Sequence, residues 1–138
     1  MKTVVDYLRK NKIYEHDCMD REFKLELLGP NIMLTHKDDT YLIEQSAQTE
    51  EIIESILEEK GIEIRFCVEC GIPFDAGFME DGWYWYSCEN CFETAMDNRY
   101  GKGKWRTLED EVYDGGYYEY QQVDGTWENT GIFYTEWY

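Results

Sequence analysis

The sequence predicts an α+β fold, and three features lead to that expectation. Apolar residues recur at helical spacing near the start and again at 52–57. They alternate strictly at 23–27. Two C-x2-C pairs then punctuate the chain at 67–70 and 88–91. With 138 residues, the chain suits one continuous domain or two small lobes sharing a core, expected at 1–65 and 66–138.

The N-terminal part reads as helix, three-stranded meander, helix. From Thr3 to about Asn11, Val4, Tyr7 and Leu8 fall on one helical face. Over 21–28, Phe23, Leu25 and Leu27 alternate with Glu22, Lys24 and Glu26, as in a half-buried strand, and Gly29-Pro30 ends it. A second strand is expected at Asn31–Thr35, a turn at His36-Lys37-Asp38-Asp39, and a third strand at Thr40–Gln45. Thr49 suits an N-cap, with Glu50 and Glu51 in the dipole-favoured first turn. Ile52, Ile53, Ile56 and Leu57 form the expected buried stripe, Gly61 the end, and Ile62, Ile64 and Phe66 a linking strand.

Cys67-Val68-Glu69-Cys70 and Cys88-Glu89-Asn90-Cys91 are separated by 17 residues. That spacing falls in the window of zinc sites. Each pair lets a tight turn aim two thiolates at one ion, and two pairs close a tetrahedral shell. Zn2+ is the expected ion, with iron, two disulfides or a redox pair as alternatives. A four-thiolate shell has no open position, so the metal is expected to be structural. Phe78–Tyr86 should form a hairpin around Glu80-Asp81-Gly82. The second pair should open a short helix to about Asn98, with Phe92, Ala95 and Met96 inward. Knuckle, hairpin, knuckle, helix is the order of a treble-clef finger.

The tail from Trp105 is acidic, aromatic and expected to be β-rich. Asp124-Gly125 marks a hairpin between Tyr117–Val123 and Thr126–Asn129, and a last strand is expected at Ile132–Trp137. Thirty Asp and Glu against 13 Lys and Arg give a net charge of −17. Residues 66–98 carry seven acids, residues 107–138 carry eight, and neither segment has a Lys or Arg. Such a surface disfavours binding to phosphate backbones, which rests on Lys and Arg. It favours a basic partner surface, or serves solubility alone. The single basic island, Arg99, Lys102, Lys104 and Arg106 around Trp105, is the minority route to nucleic acid.

No catalytic constellation stands out. His16 in Glu15-His16-Asp17-Cys18 is expected at the surface, and Gly101-Lys102-Gly103-Lys104 lacks the spacing of a phosphate loop. The start Met1-Lys2-Thr3-Val4-Val5-Asp6 lacks a signal-like apolar run, and Cys18 makes the cysteine count odd at five. Both suggest a reduced, cytoplasmic setting.

Cys67-Val68-Glu69-Cys70-Gly71, Gly77-Phe78 and Trp83-Tyr84-Trp85-Tyr86-Ser87-Cys88 together resemble a motif in small zinc-finger proteins of phages and mobile elements. The ending Tyr134-Thr135-Glu136-Trp137 is similar to tails of that group. The likeness covers about residues 67–92 and the last few, and leaves out the first 65. In size, charge and metal motif the chain resembles zinc-containing type II-A anti-CRISPR proteins. The resemblance implies a phage-encoded, non-enzymatic inhibitor of a host defence nuclease, most readily a type II CRISPR effector. It would bind the basic nucleic-acid channel and block target DNA loading in the bacterial cytoplasm. Candidate contacts are Asp110, Glu111, Asp114, Glu119, Asp124 and Glu128, with Tyr117, Tyr118 and Trp127 as anchors. The alternative is a protein-interaction adaptor acting on host transcription or replication machinery.

Overall fold

Strict alternation at 23–27 produces the strand it predicts, but the sheet around that strand is larger than the meander. The computed structural model describes residues 2–17, 21–80, 85–108 and 117–137. The protein is mixed α+β, with three α-helices and several small antiparallel sheets among the described residues.

Helix α1 spans Val4–Asn11, and the Asp6 carboxylate accepts from the Thr3 backbone N–H at 2.8 Å, closing its first turn. Strands β1 (Ile13–His16), β2 (Phe23–Leu28), β3 (Asn31–His36) and β4 (Asp39–Glu44) form one antiparallel sheet in that order. The meander therefore gains a fourth strand, since β1 pairs with β2 from Ile13↔Glu26 to His16↔Phe23. His36 is the buried last residue of β3, and the turn shrinks to Lys37-Asp38, with Lys37 at φ 54.

Helix α2 covers Thr49–Glu59. Thr49 is its first helical residue instead of its cap. Its hydroxyl is buried, accepting from the Ser46 N–H at 2.7 Å and donating to backbone carbonyls before the helix. Ile53 and Leu57 are buried and Ile56 half-buried, whereas Ile52 is 40% exposed and leaves the stripe. Phe23, Leu25, Ile32, Leu34 and Ile43 form the inner face of the sheet and pack with Val4, Leu8, Ile53 and Leu57 into the largest core. Each fully buried side chain of this kind stabilises by about 1.5–3 kcal/mol. Ile62 and Ile64 join that core at 1% exposure each, although the expected linking strand is reduced to Arg65–Phe66, β5.

Beyond it, β5 pairs with β6 (Pro73–Phe74). Strands β7 (Ala76–Glu80) and β8 (Tyr86–Ser87) are the arms of the expected hairpin, whose tip 81–84 lies outside the described residues. A 3-10 turn at Glu89–Cys91 leads into α3, Phe92–Tyr100, which buries Phe92, Ala95 and Met96 as expected. Strands β9 (Trp105–Leu108), β10 (Tyr117–Gln121) and β11 (Trp127–Asn129) make a three-stranded sheet closed by the Asp124-Gly125 turn. The last strand, β12 (Ile132–Glu136), instead pairs with β7, returning the chain end to the cysteine region.

One carboxyl between the first helices has a clear pH signature. Glu50 on α2 accepts from the Val4 N–H at 3.3 Å, at the positive end of α1. Burial outweighs that bond and pushes Glu50 from 4.5 up to about 7. A carboxyl whose pKa is higher in the folded state favours folding while protonated. Its contribution is lost as pH rises from about 4.5 through 7, where the unfolded chain ionises first. The urea midpoint of the wild type, measured relative to that of Glu50→Gln, is therefore expected to fall from about pH 5.5 to 7.5. An unchanged slope in the variant would assign the effect elsewhere.

Candidate metal centre and anionic surface

The two cysteine pairs meet as their spacing predicts. The first sits in a tight turn: the Gly71 N–H donates to the Cys67 carbonyl at 2.8 Å and the Cys67 N–H to Ile72 at 3.0 Å. The second closes on itself through Cys91 N–H to the Cys88 carbonyl at 3.3 Å, and the Val68 N–H donates to Tyr86 at 2.9 Å, clamping the turns together. All four Sγ atoms lie within 4.8 Å of one another, and Cys70 and Cys88 are 3.9 Å apart. A metal–sulfur distance of about 2.3 Å in tetrahedral geometry puts ligands roughly 3.8 Å apart, so the group fits a metal ion. A disulfide would need sulfurs at about 2.0 Å, and the four cysteines are free thiols.

The thiols shift one another in opposite senses. The neighbouring Cys88 thiol draws Cys67 down to about 5, and Cys88 is in turn raised by Cys67 and by burial. Burial pushes Cys70 up to about 12. A divalent cation held by Cys67, Cys70, Cys88 and Cys91 would override these differences, because a coordinating thiol is deprotonated outright. Cys91 immediately precedes α3, whose N-terminal dipole also favours thiolate charge.

The surroundings explain two glycines. Gly71 has φ 77, and a Cβ there would lie 1.9 Å from the Thr3 carbonyl oxygen. The N-terminal segment runs directly over the first turn, with the Lys2 N–H donating to Val68 at 3.0 Å. At Gly77 a Cβ would meet the Phe74 ring at 2.6 Å and the Ser87 carbonyl at 2.7 Å, so the Gly77-Phe78 step follows from close packing.

A second link between the first sheet and the cysteine region has no counterpart in the sequence patterns. His16 is 8% exposed, so its surface placement is corrected: it is the last residue of β1 and stacks on Phe23 at 4.9 Å. Its Nδ1 pairs with the Tyr14 hydroxyl at 2.8 Å and its Nε2 with the Asp75 carboxylate at 3.0 Å, which also holds Arg21 at 2.9 Å. Buried polar groups need such partners. The alternation of Tyr14 and His16 with exposed Ile13 and Glu15 hints at the strand, but nothing in the sequence points to Asp75, 59 residues away. Cys18 lies outside the described residues.

Among the candidate contacts, Asp110, Glu111 and Asp114 also lie outside the described residues. Tyr117 is half-buried at the start of β10. Tyr118 turns inward at 5% exposure between Phe78 and Phe92, a core residue and not a surface anchor. Glu119 holds Arg106 through two bonds of 3.0 and 2.7 Å, and Arg106 lies 4.2 Å over the half-buried Trp127 ring. Asp124 is exposed and accepts from the Thr126 N–H and hydroxyl, which holds its carboxyl below the usual range. Glu128 is exposed and accepts from the Tyr120 hydroxyl at 2.9 Å and from Gln122.

The basic island is partly folded back on the protein. Arg99 pairs with Glu80 and lies over the Trp85 and Tyr100 rings at 5.1 and 5.5 Å. Trp105 is half-buried and donates its indole N–H to Asp97 at 2.8 Å. Lys102 and Lys104 are exposed in the turn between α3 and β9.

Fold and site thus define a mixed α+β protein with a four-cysteine cluster able to hold a metal ion. No protein-family model, curated protein or solved structure matches the chain. Among the described residues no helix is long and apolar enough to cross a membrane.

Proposed function

We propose that the chain is a non-enzymatic, zinc-built inhibitor that binds the basic nucleic-acid channel of a host defence nuclease. A type II CRISPR effector in the bacterial cytoplasm is the partner this reading puts first. In it, Cys67, Cys70, Cys88 and Cys91 hold Zn2+ in a treble-clef-like finger between an N-terminal lobe and an acidic tail. The shell is closed, so the metal serves folding.

The supporting observation is where the cations go. Of 13 Lys and Arg against 30 acids, Arg21, Arg65, Arg99, Arg106 and Lys60 are each paired with the protein's own carboxylates, and Lys2, Arg9, Lys10, Lys12, Lys37, Lys102 and Lys104 stay exposed among the more numerous acids. What remains outward is a surface dominated by carboxylates, including Asp124 and Glu128. Such a surface repels DNA and suits a channel that holds a guide–target duplex by positive charge. The partial likeness of residues 67–92 to phage zinc-finger proteins supports the choice of a host nuclease.

Replacing Asp110, Glu111 and Asp114 together by Lys is expected to weaken binding to the purified effector at least tenfold, mainly by slowing association. Zinc content and melting temperature should be retained. Affinity should also fall steeply with salt. Unchanged affinity of the triple variant would remove that stretch from the interface. Recovery of a polymerase or replication factor from host lysate, with no nuclease, would favour the adaptor reading.

A further inference from the structure

Four times among the described residues, a cation sits between an aromatic ring and a carboxylate of the same chain. Lys60 lies over Tyr41 with Asp39, Arg65 over Tyr86 and Trp137 with Glu63, Arg99 over Trp85 and Tyr100 with Glu80, and Arg106 over Trp127 with Glu119. A fifth place has the rings and the carboxylates and no basic residue among the described residues that line it. It is a cavity of about 460 Å³ beside the second cysteine turn, walled by Phe78, Phe92 and Tyr134 with Glu89 and Glu93 at its rim.

Its walls pack on one another. Phe78 stacks on Phe92 at 3.8 Å and meets Tyr134 edge-on at 5.5 Å, and Phe78 and Tyr134 are cross-strand neighbours on β7 and β12. Glu89 and Glu93 are four residues apart, one in the 3-10 turn and one in the first turn of α3. The Tyr134 hydroxyl faces Glu89 and donates to Glu136 at 3.3 Å, which adds a third carboxylate to the surroundings. Four thiolates around one divalent ion would leave two further negative charges next to Glu89 and Asn90.

We infer that this cavity is a socket for an arginine side chain supplied by the protein partner. It would hold the guanidinium against the rings, with Glu89 and Glu93 accepting its N–H groups. Arginine fits better than lysine because its planar, weakly hydrated guanidinium stacks on rings and forks onto carboxylates. The socket gives the partner of the proposed function a stated chemistry, and to that extent it rests on that reading.

The test titrates N-acetyl-arginine amide into the zinc-replete protein, followed by two-dimensional amide NMR. Saturable shifts confined to residues 89–94 and Tyr134 are expected. Binding should weaken at least tenfold for N-acetyl-citrulline amide, which keeps the shape and loses the charge, and by a similar factor in a Glu89→Gln/Glu93→Gln variant of unchanged zinc content. Shifts spread evenly over the acidic surface, or equal binding of citrulline, would overturn the inference. An effector assay separates the two readings. A nuclease inhibited equally by wild type and double variant removes the socket and keeps the inhibitor. An arginine-binding protein that inhibits no nuclease keeps the socket and removes the inhibitor.

Discussion

Stripping the metal with a strong chelator, or replacing Cys67 by Ser, is expected to unfold at least the region from β5 onward. The near-ultraviolet signal of its Trp and Tyr residues should collapse, and re-added Zn2+ should restore the chelated wild type but not the variant. The size of the effect follows from two scales. A structural zinc contributes about 10–16 kcal/mol apparent. A whole domain is stable by only about 5–15 kcal/mol. The residues around the cluster are few: Cys67, Phe74 and Cys88 are its buried members, with Ile72, Tyr86 and Trp137 packed alongside. Acid should act as the chelator does, because thiolates must be deprotonated to bind. Retention of the aromatic signal after complete metal removal would show that packing alone holds this region. Loss of function in cysteine variants will therefore not locate a binding surface.

Gly71→Ala is the second large effect, expected at about 2–4 kcal/mol from a strained left-handed backbone plus overpacking. Gly61→Ala is its control. The two glycines share nearly the same φ, 77 and 78, but a Cβ added at Gly61 has nothing within 4 Å, whereas one at Gly71 faces the Thr3 carbonyl at 1.9 Å. Gly61→Ala should cost only the backbone part, about 1–2 kcal/mol. Urea unfolding of both variants isolates the contact between the N-terminal segment and the first cysteine turn. Equal losses would mean that this contact yields without cost.

Local signals carry much of the fold. Helical spacing places α1, α2 and α3, and alternation with Gly29-Pro30 places β2 and β3, because periodicity directly reflects which face is buried. The cysteine cluster is legible for the same reason: two matched short spacings fix two local turns, and one ion joins them. What escapes are pairings decided at long range. Strand β1 exists because Ile13–His16 pairs with β2 across a segment that includes Cys18, and its four residues carry too short a pattern to announce it. The last strand is legible, but its pairing with β7, from Ile132↔Glu80 to Glu136↔Ala76, is not. Short β5 and β6 depend on the cysteine turn between them.

The surface is the least legible part. Counting charges finds the acidity but cannot show which carboxylates are already engaged. Glu119 looks like any other tail acid in sequence, yet the fold sets it against Arg106. Tyr118 belongs to a run of tyrosines that suits either a core or an interface and makes it a candidate anchor, yet β10 turns it into the core. Alternation within β10 contains that information only once its inward face is known.

Cleavage of target DNA by a guide-loaded type II CRISPR nuclease, with the zinc-replete protein added before or after the DNA, tests the central claim most directly. The account predicts strong inhibition when the protein is added first and little when the DNA is already loaded, since both compete for one basic channel. Undiminished cleavage in either order, across several such nucleases, would contradict it.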